Sequence, residues 1–252
     1  MFAVLSLELS VTLIDQRHHT NMARLHFIGG EKGGVGKSVV ARILAQYFID
    51  HGQPFLGFDC DRTHGALLRF YTPYSTQVVM DDYQSLDRLI DLAAADPARR
   101  ILVDLAAQAQ QPLSRWMADS RLLELAPDLN LSLVYWHVMD NGYDSVELLR
   151  QFLDQFGQKI KLVLVLNQLR GERFELLESS GQRARAEQMG ASSMPLQRLA
   201  DATMQKIDAN SRSFWAALNN GAGADGTLGL LEQQRLWVWI KRAYEEIDRI
   251  GV

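Results

Sequence analysis

Lys32-Gly33-Gly34-Val35-Gly36-Lys37-Ser38, set between the apolar run at 25–28 and a stretch of helical periodicity, is the segment from which the fold can be read. Backbone N–H groups gathered into one concavity make an anion cradle, and the conformations this needs are cheap only for glycine. Gly33, Gly34 and Gly36 supply them, with Val35 between. Lys37 can then reach terminal phosphates and Ser38 can offer its hydroxyl to Mg²⁺. The helix that begins there, with Val39 in its first turn, points its positive dipole end at the anion.

The flanks supply the strand and helix that such a loop requires. Residues 25–28 read as a buried strand, and Val40, Ile43, Leu44, Tyr47 and Phe48 recur at helical spacing before Gly52 and Pro54 stop the helix. Further on, 55–58, 101–103, 131–138 and 162–166 read as strands, and 84–94, 113–125, 144–156 and 230–250 as helices. That alternation predicts an α/β fold in three layers, a mostly parallel central sheet with helices on both faces. Ligands in such sheets sit at the carboxyl ends of the strands.

Two lysines, Lys32 and Lys37, stand where an ordinary phosphate loop has one, and in this the chain resembles the ParA/MinD family of deviant Walker A P-loop ATPases. The resemblance implies ATP as ligand. It also implies a homodimer bridged by ATP, in which Lys32 reaches the partner's nucleotide. Glu31 departs from the general GxxxxGK[ST] pattern, and charge repulsion predicts that its side chain points away from a triphosphate. Softer similarities from Ala23 onward, including the DCD step at 59–61 and VDLAAQ at 103–108, are nearest to the TraL-type subgroup encoded with plasmid transfer and stability functions.

Strand ends supply the remaining candidates. Asp59 and Asp61 follow the second strand at alternate spacing; the resemblance gives Asp61 the attacking water and Asp59 support of the metal shell, against a bland reading as a polar turn capping the next helix. Asp104 takes the Walker B place and would hold a Mg²⁺-bound water, although Leu105-Ala106-Ala107-Gln108 replaces the prolines or glycine usual in the second switch. Asn167, after the strand at 162–166, is expected to hydrogen-bond adenine, with a turn-forming role as the alternative. Pro195 is expected to line the base pocket.

Composition bounds the rest. The chain has 252 residues, 47% of them hydrophobic, and can bury a sizeable core, so an ATPase domain over 22–252 is expected, preceded by an extension at 1–21. That extension is read as an appendage or an upstream start, disordered, with an added edge strand as the alternative because Leu5, Leu7, Leu9, Val11 and Leu13 alternate with polar residues. It carries neither a basic start nor a small-residue cleavage site. A net charge of −4 shows no global attraction to nucleic acid, and the lone Cys60 points to a reducing cytoplasm.

Two stretches bear on partners. Between Arg170 and Arg212 seven basic side chains face six acidic ones, which argues against a strong phosphate footprint, although Arg183 and Arg185 on a dimer surface could touch DNA. In the last helix, basic and acidic groups cancel around an apolar face, so packing on the domain is expected in place of membrane attachment. An unidentified protein activator or cargo is implied by the resemblance. The expected function is an ATP-dependent dimerisation switch with slow Mg²⁺-dependent hydrolysis, acting in partition, conjugation or positioning of a cellular assembly. The alternatives are an ATP-dependent small-molecule ligase and a nucleotide-binding scaffold that does not hydrolyse.

Overall fold

The computed structural model describes residues 22–30, 32–61, 65–220 and 227–251. The expectations placed on 1–21 and on Glu31 lie outside them. The chain opens with β1 (Ala23–Gly29), crosses through α1 (Lys37–Asp50) to β2 (Phe55–Asp59), and continues with α2 (Ala66–Phe70), β3 (Ser75–Gln77), α3 (Tyr83–Ala95) and β4 (Arg100–Asp104). After α4 (Gln110–Asp119) and α5 (Leu122–Leu125) come β5 (Leu131–Met139), α6 (Tyr143–Phe156) and β6 (Lys161–Asn167). The last third holds α7 (Glu175–Ser179), α8 (Gln182–Gln188), β7 (Ser192–Leu196), α9 (Asp201–Ala209), α10 (Phe214–Asn219) and α11 (Leu230–Ile250).

The seven strands form one parallel sheet in the order β3-β2-β4-β1-β5-β6-β7, as the alternation predicts. Both faces are buried, which is why the strands read as continuous apolar runs. Leu25, Phe27, Ile101, Val103, Leu133 and Tyr135 enter the core under α3, α4 and α6. Ile28, Leu102, Val134, Trp136, Val163 and Val165 enter the opposite core with α1, α10 and α11. Because α1 lies in the middle of that second layer, ten of its fourteen residues are buried, Lys37 among them.

One predicted helix is broken. The reading at 113–125 becomes α4 and α5, separated at Arg121, whose φ is +47°. Leu113, Trp116 and Met117 face the core, but the next positions on that face are Ser120, Arg121 and Glu124, while Leu122 is out of phase. A left-handed residue at 121 rephases the chain so that Leu122 is buried. Edge strand β3 escaped the sequence reading because it is three polar residues long.

The C-terminal helix packs inward as expected. Leu236, Trp239, Ile240, Ala243, Tyr244 and Ile247 are buried, and the Trp239 indole donates to the Gln197 carbonyl at 2.6 Å. No helix among the described residues is long and apolar enough to cross a membrane.

Candidate functional site

The loop after β1 and the carboxyl ends of β2, β4 and β6 enclose a cleft of about 400 Å³. It is lined by Gly33, Gly34, Gly36, Lys37, Ser38, Val39, Asp61, Asp104, Leu105, Ala106, Ala107 and Leu169. Topology puts it there: β1 is the central strand from which connections run to both sides of the sheet, and the crevice outside such a strand is the usual ligand position. Most of the residues chosen from sequence are thus brought to one place.

Glycine is required at two of the three loop positions. Gly34 and Gly36 have φ of +75° and +98°, and a Cβ on Gly36 would stand 2.3 Å from the Asn167 amide nitrogen. A Cβ on Gly33 would meet nothing within 4 Å. Gly36 is also the N-cap of α1 and makes no side-chain cap, so the first N–H groups of that helix face the cleft side of the loop without competition from a capping oxygen.

Lys37 is only 8% exposed, and its ammonium donates to the Lys32 carbonyl at 3.0 Å, closing the loop on itself. Lys32 does not extend outward. Its Nζ sits 3.4 Å from Asp140 and 3.6 Å from Asp144, while Arg170 reaches Asp140 at 3.1 Å. Burial would raise the Asp140 pKa, but hydrogen bonds from Ser145 and Gly142 and the Lys32 charge outweigh it and hold the carboxyl below its ordinary range. Sequence reasoning missed Asp140, although its position directly after β5 is the strand-end signal that found the other acids.

Asp59 and Asp104 are register partners at the ends of β2 and β4, and both are buried. Burial raises the pKa of Asp104 to about 7, helped by the Asp59 charge and opposed by a Ser38 hydrogen bond and the Lys37 ammonium. Its Oδ1 has no hydrogen-bond partner among the described residues. An orphaned buried carboxylate oxygen beside a serine hydroxyl fits a hydrated divalent cation, whose charge would keep Asp104 ionised. Among the described residues no three His, Cys, Asp or Glu side chains form a metal cage, so Mg²⁺ here would rest on Ser38, on water held by Asp104 and on phosphate oxygens.

Asp59 is tied into the fold at both oxygens. Its Oδ1 accepts from the Asp61 N–H and its Oδ2 from the Leu68 N–H, both at 3.0 Å. It therefore fixes the turn that delivers Asp61 to the cleft and caps α2, the capping role that was its alternative. Cys60 between them donates its thiol to the Met80 sulfur, and burial pushes its pKa up, as suits a filler.

Asn167 is likewise tied into the fold, in part by the turn-forming contact that was its alternative role. Its amide nitrogen donates to the Val35 carbonyl at 2.7 Å and its oxygen accepts from the Leu169 N–H at 3.2 Å. The amide thus braces the phosphate loop, with one N–H and one oxygen lone pair left over. Asn167→Ala is expected to weaken ATP and GTP binding alike, by about fivefold to tenfold for one lost buried hydrogen bond. Equilibrium titration with both nucleotides checks this; loss of ATP affinity alone would restore the base-reading role.

One further expectation is corrected. Pro195 is exposed on edge strand β7 and lines a separate hollow with Leu166, Gln168 and Glu172, not the phosphate-loop cleft. Arg183 is paired with Glu178 and Glu187, and Arg185 with Asp154, in line with the near balance of charge across this stretch. His137, buried behind the loop, is held neutral by burial with a pKa of about 4 and adds no positive charge beside Lys37.

Comparison with known proteins gives the family and the fold. The CobQ/CobB/MinD/ParA nucleotide binding domain matches residues 26–206, and the chain belongs to that family. It is 28% identical to Protein TraL of Escherichia coli over 249 residues, covering 92% of this chain and 100% of that one. To Protein MobD of Acidithiobacillus ferrooxidans it is 27% identical over 198 residues, covering 77% and 86%. The MinD cell division protein of Aquifex aeolicus superposes with a TM-score of 0.54 over 91% of this chain and 98% of its own, at 13% identity, a likeness of fold.

Proposed function

We propose that the chain is an ATP-dependent dimerisation switch with slow Mg²⁺-dependent hydrolysis, serving plasmid transfer, partition or the positioning of a cellular assembly. The observation that carries this reading is the convergence of Lys37, Ser38, Asp61 and Asp104 on one cleft at the start of α1. Phosphoryl transfer asks mainly for positioning and charge compensation, and this donor set meets both needs. Lys37 would neutralise charge on the β- and γ-phosphates. Ser38 and water held by Asp104 would hold Mg²⁺, which when bound supplies further charge compensation at the phosphates. Asp61 would orient the attacking water.

Lys32 would complete the partner's pocket, and to do so it must leave Asp140 and Asp144. Nucleotide state would then set protomer pairing, and pairing would set affinity for an activator or cargo. The plasmid setting is favoured by the likeness to TraL and MobD.

Solution mass measured with and without Mg·ATP, beside steady-state turnover, tests the reading. A shift from monomer to dimer on ATP addition, abolished in Lys32→Ala while ATP uptake persists, is the expected result. An unchanged mass with full ATP occupancy would remove the switch, turnover only in the presence of a small carboxylate would favour a ligase, and dimerisation without turnover would favour a scaffold.

A further inference from the structure

We infer that Gln108 is a catalytic residue: its side-chain amide holds the attacking water against the γ-phosphate from the β4 side of the cleft, opposite Asp61. The inference rests on the ATPase reading above and assigns a role to the segment after Asp104, which lacks the prolines or glycine usual there.

The first observation is the backbone. Gln108 has φ of +64°, in the left-handed region that suits glycine. Three other described non-glycine residues share this property, and each is explained by its surroundings or chemistry. Arg121 rephases a broken helix, Asn130 is a residue type that tolerates the region, and Ser211 accepts a hydrogen bond from Arg69 in the turn after α9. Gln108 has no such return: it is exposed, and its amide takes part in no hydrogen bond among the described residues. Strain of this kind persists where surrounding structure enforces it, and it gathers at sites that use it.

The second observation is what enforces the strain and where it leads. Leu105 and Ala109, on either side, are anchored in the core, and Leu105, Ala106 and Ala107 line the cleft itself. Gln108 follows directly in the chain and is exposed. Asp59 and Asp104 pair across β2 and β4, so Asp61 and Gln108 leave adjacent strands at the same edge of the sheet, two and four residues beyond that pair. Both loops contribute to the lining of the cleft, the first through Asp61 and the second through Leu105, Ala106 and Ala107.

The third point is chemical. An amide can accept a hydrogen bond from water through Oε1 and donate one to a phosphoryl oxygen through Nε2. A carboxylate does only the first and repels the phosphate. In the step assisted, the water oxygen bonds to the γ-phosphorus and the bond from that phosphorus to the bridging oxygen breaks, its electron pair leaving with ADP. The water's proton passes to phosphate oxygen. Gln108 neither gains nor loses a proton; it fixes geometry.

Glycine makes the test sharp, because it removes the amide and also relieves the backbone. With the full-length protein and Mg·ATP, Gln108→Gly, Gln108→Asn and Gln108→Glu are compared with the unaltered chain for ATP uptake, thermal midpoint and single-turnover hydrolysis. ATP uptake is expected to stay within about twofold of the unaltered chain in the Gly and Asn variants, with Gly melting at or above its temperature, while hydrolysis falls about tenfold or more in all three. A purely structural residue would show the reverse, with glycine fully active. Undiminished hydrolysis in Gln108→Gly overturns the inference and leaves the ATPase reading standing; an unaltered chain that binds ATP without hydrolysing it overturns both.

Discussion

Lys37→Ala is expected to weaken Mg·ATP binding about a hundredfold without unfolding the protein. Lys37 is the first residue of α1 and its ammonium is held inside the loop by the Lys32 carbonyl, at the place where phosphate charge would gather. Hydrogen bonds to charged groups in such settings contribute about 1.5–3 kcal/mol, and the upper part of that range corresponds to about two orders of magnitude in affinity. Lys37→Arg should not restore binding, because a planar fork replaces a compact ammonium on a buried stem. Calorimetric titration measures the effect and far-ultraviolet dichroism checks the fold. An affinity within about threefold of the unaltered chain would mean that no triphosphate sits in this cleft.

A second large effect concerns stability. Arg42, on the helix that begins at the phosphate loop, is 3% exposed and lies 2.8 Å from Asp208 of α9, between the Phe70 and Phe214 rings. Among the described residues its Nε and Nη2 have no hydrogen-bond partner, and burial lowers its pKa despite the Asp208 charge. Asp208→Ala would leave a buried guanidinium without its counter-charge, which costs about 3–5 kcal/mol in a fully buried pair. Because Asp208 is 46% exposed, roughly 2–3 kcal/mol is expected, or about 5–10 °C in the thermal midpoint.

Arg42→Met removes the charge and keeps the volume. Desolvation of the pair is then no longer required, so this variant should lie within about 1 kcal/mol of the unaltered chain or above it, and adding Asp208→Ala to it should cost little. Denaturant melts of the three variants provide the check. A cost below about 0.5 kcal/mol for Asp208→Ala alone would mean that the pair behaves as a surface ion pair.

The phosphate loop was legible because its chemistry is local: glycines, lysine and serine must be contiguous for the cradle to form, so their order records their function. The parallel sheet was legible because strands buried on both faces leave uninterrupted apolar runs, as at residues 131–138, and helices leave a 3.6-residue period. The break at Arg121 could have been found by phasing Leu122 against Leu113 and Met117.

What tertiary structure alone decided is which way side chains at the strand ends turn and what they touch. Asn167, Asp59 and Lys32 were each placed near the site by sequence, yet the first braces Val35, the second holds the Asp61 turn, and the third folds onto Asp140 and Asp144. A strand fixes where a residue emerges through its period of two. Its hydrogen-bond partners come from loops distant along the chain, whose approach depends on the packing of both layers, and no local pattern encodes that.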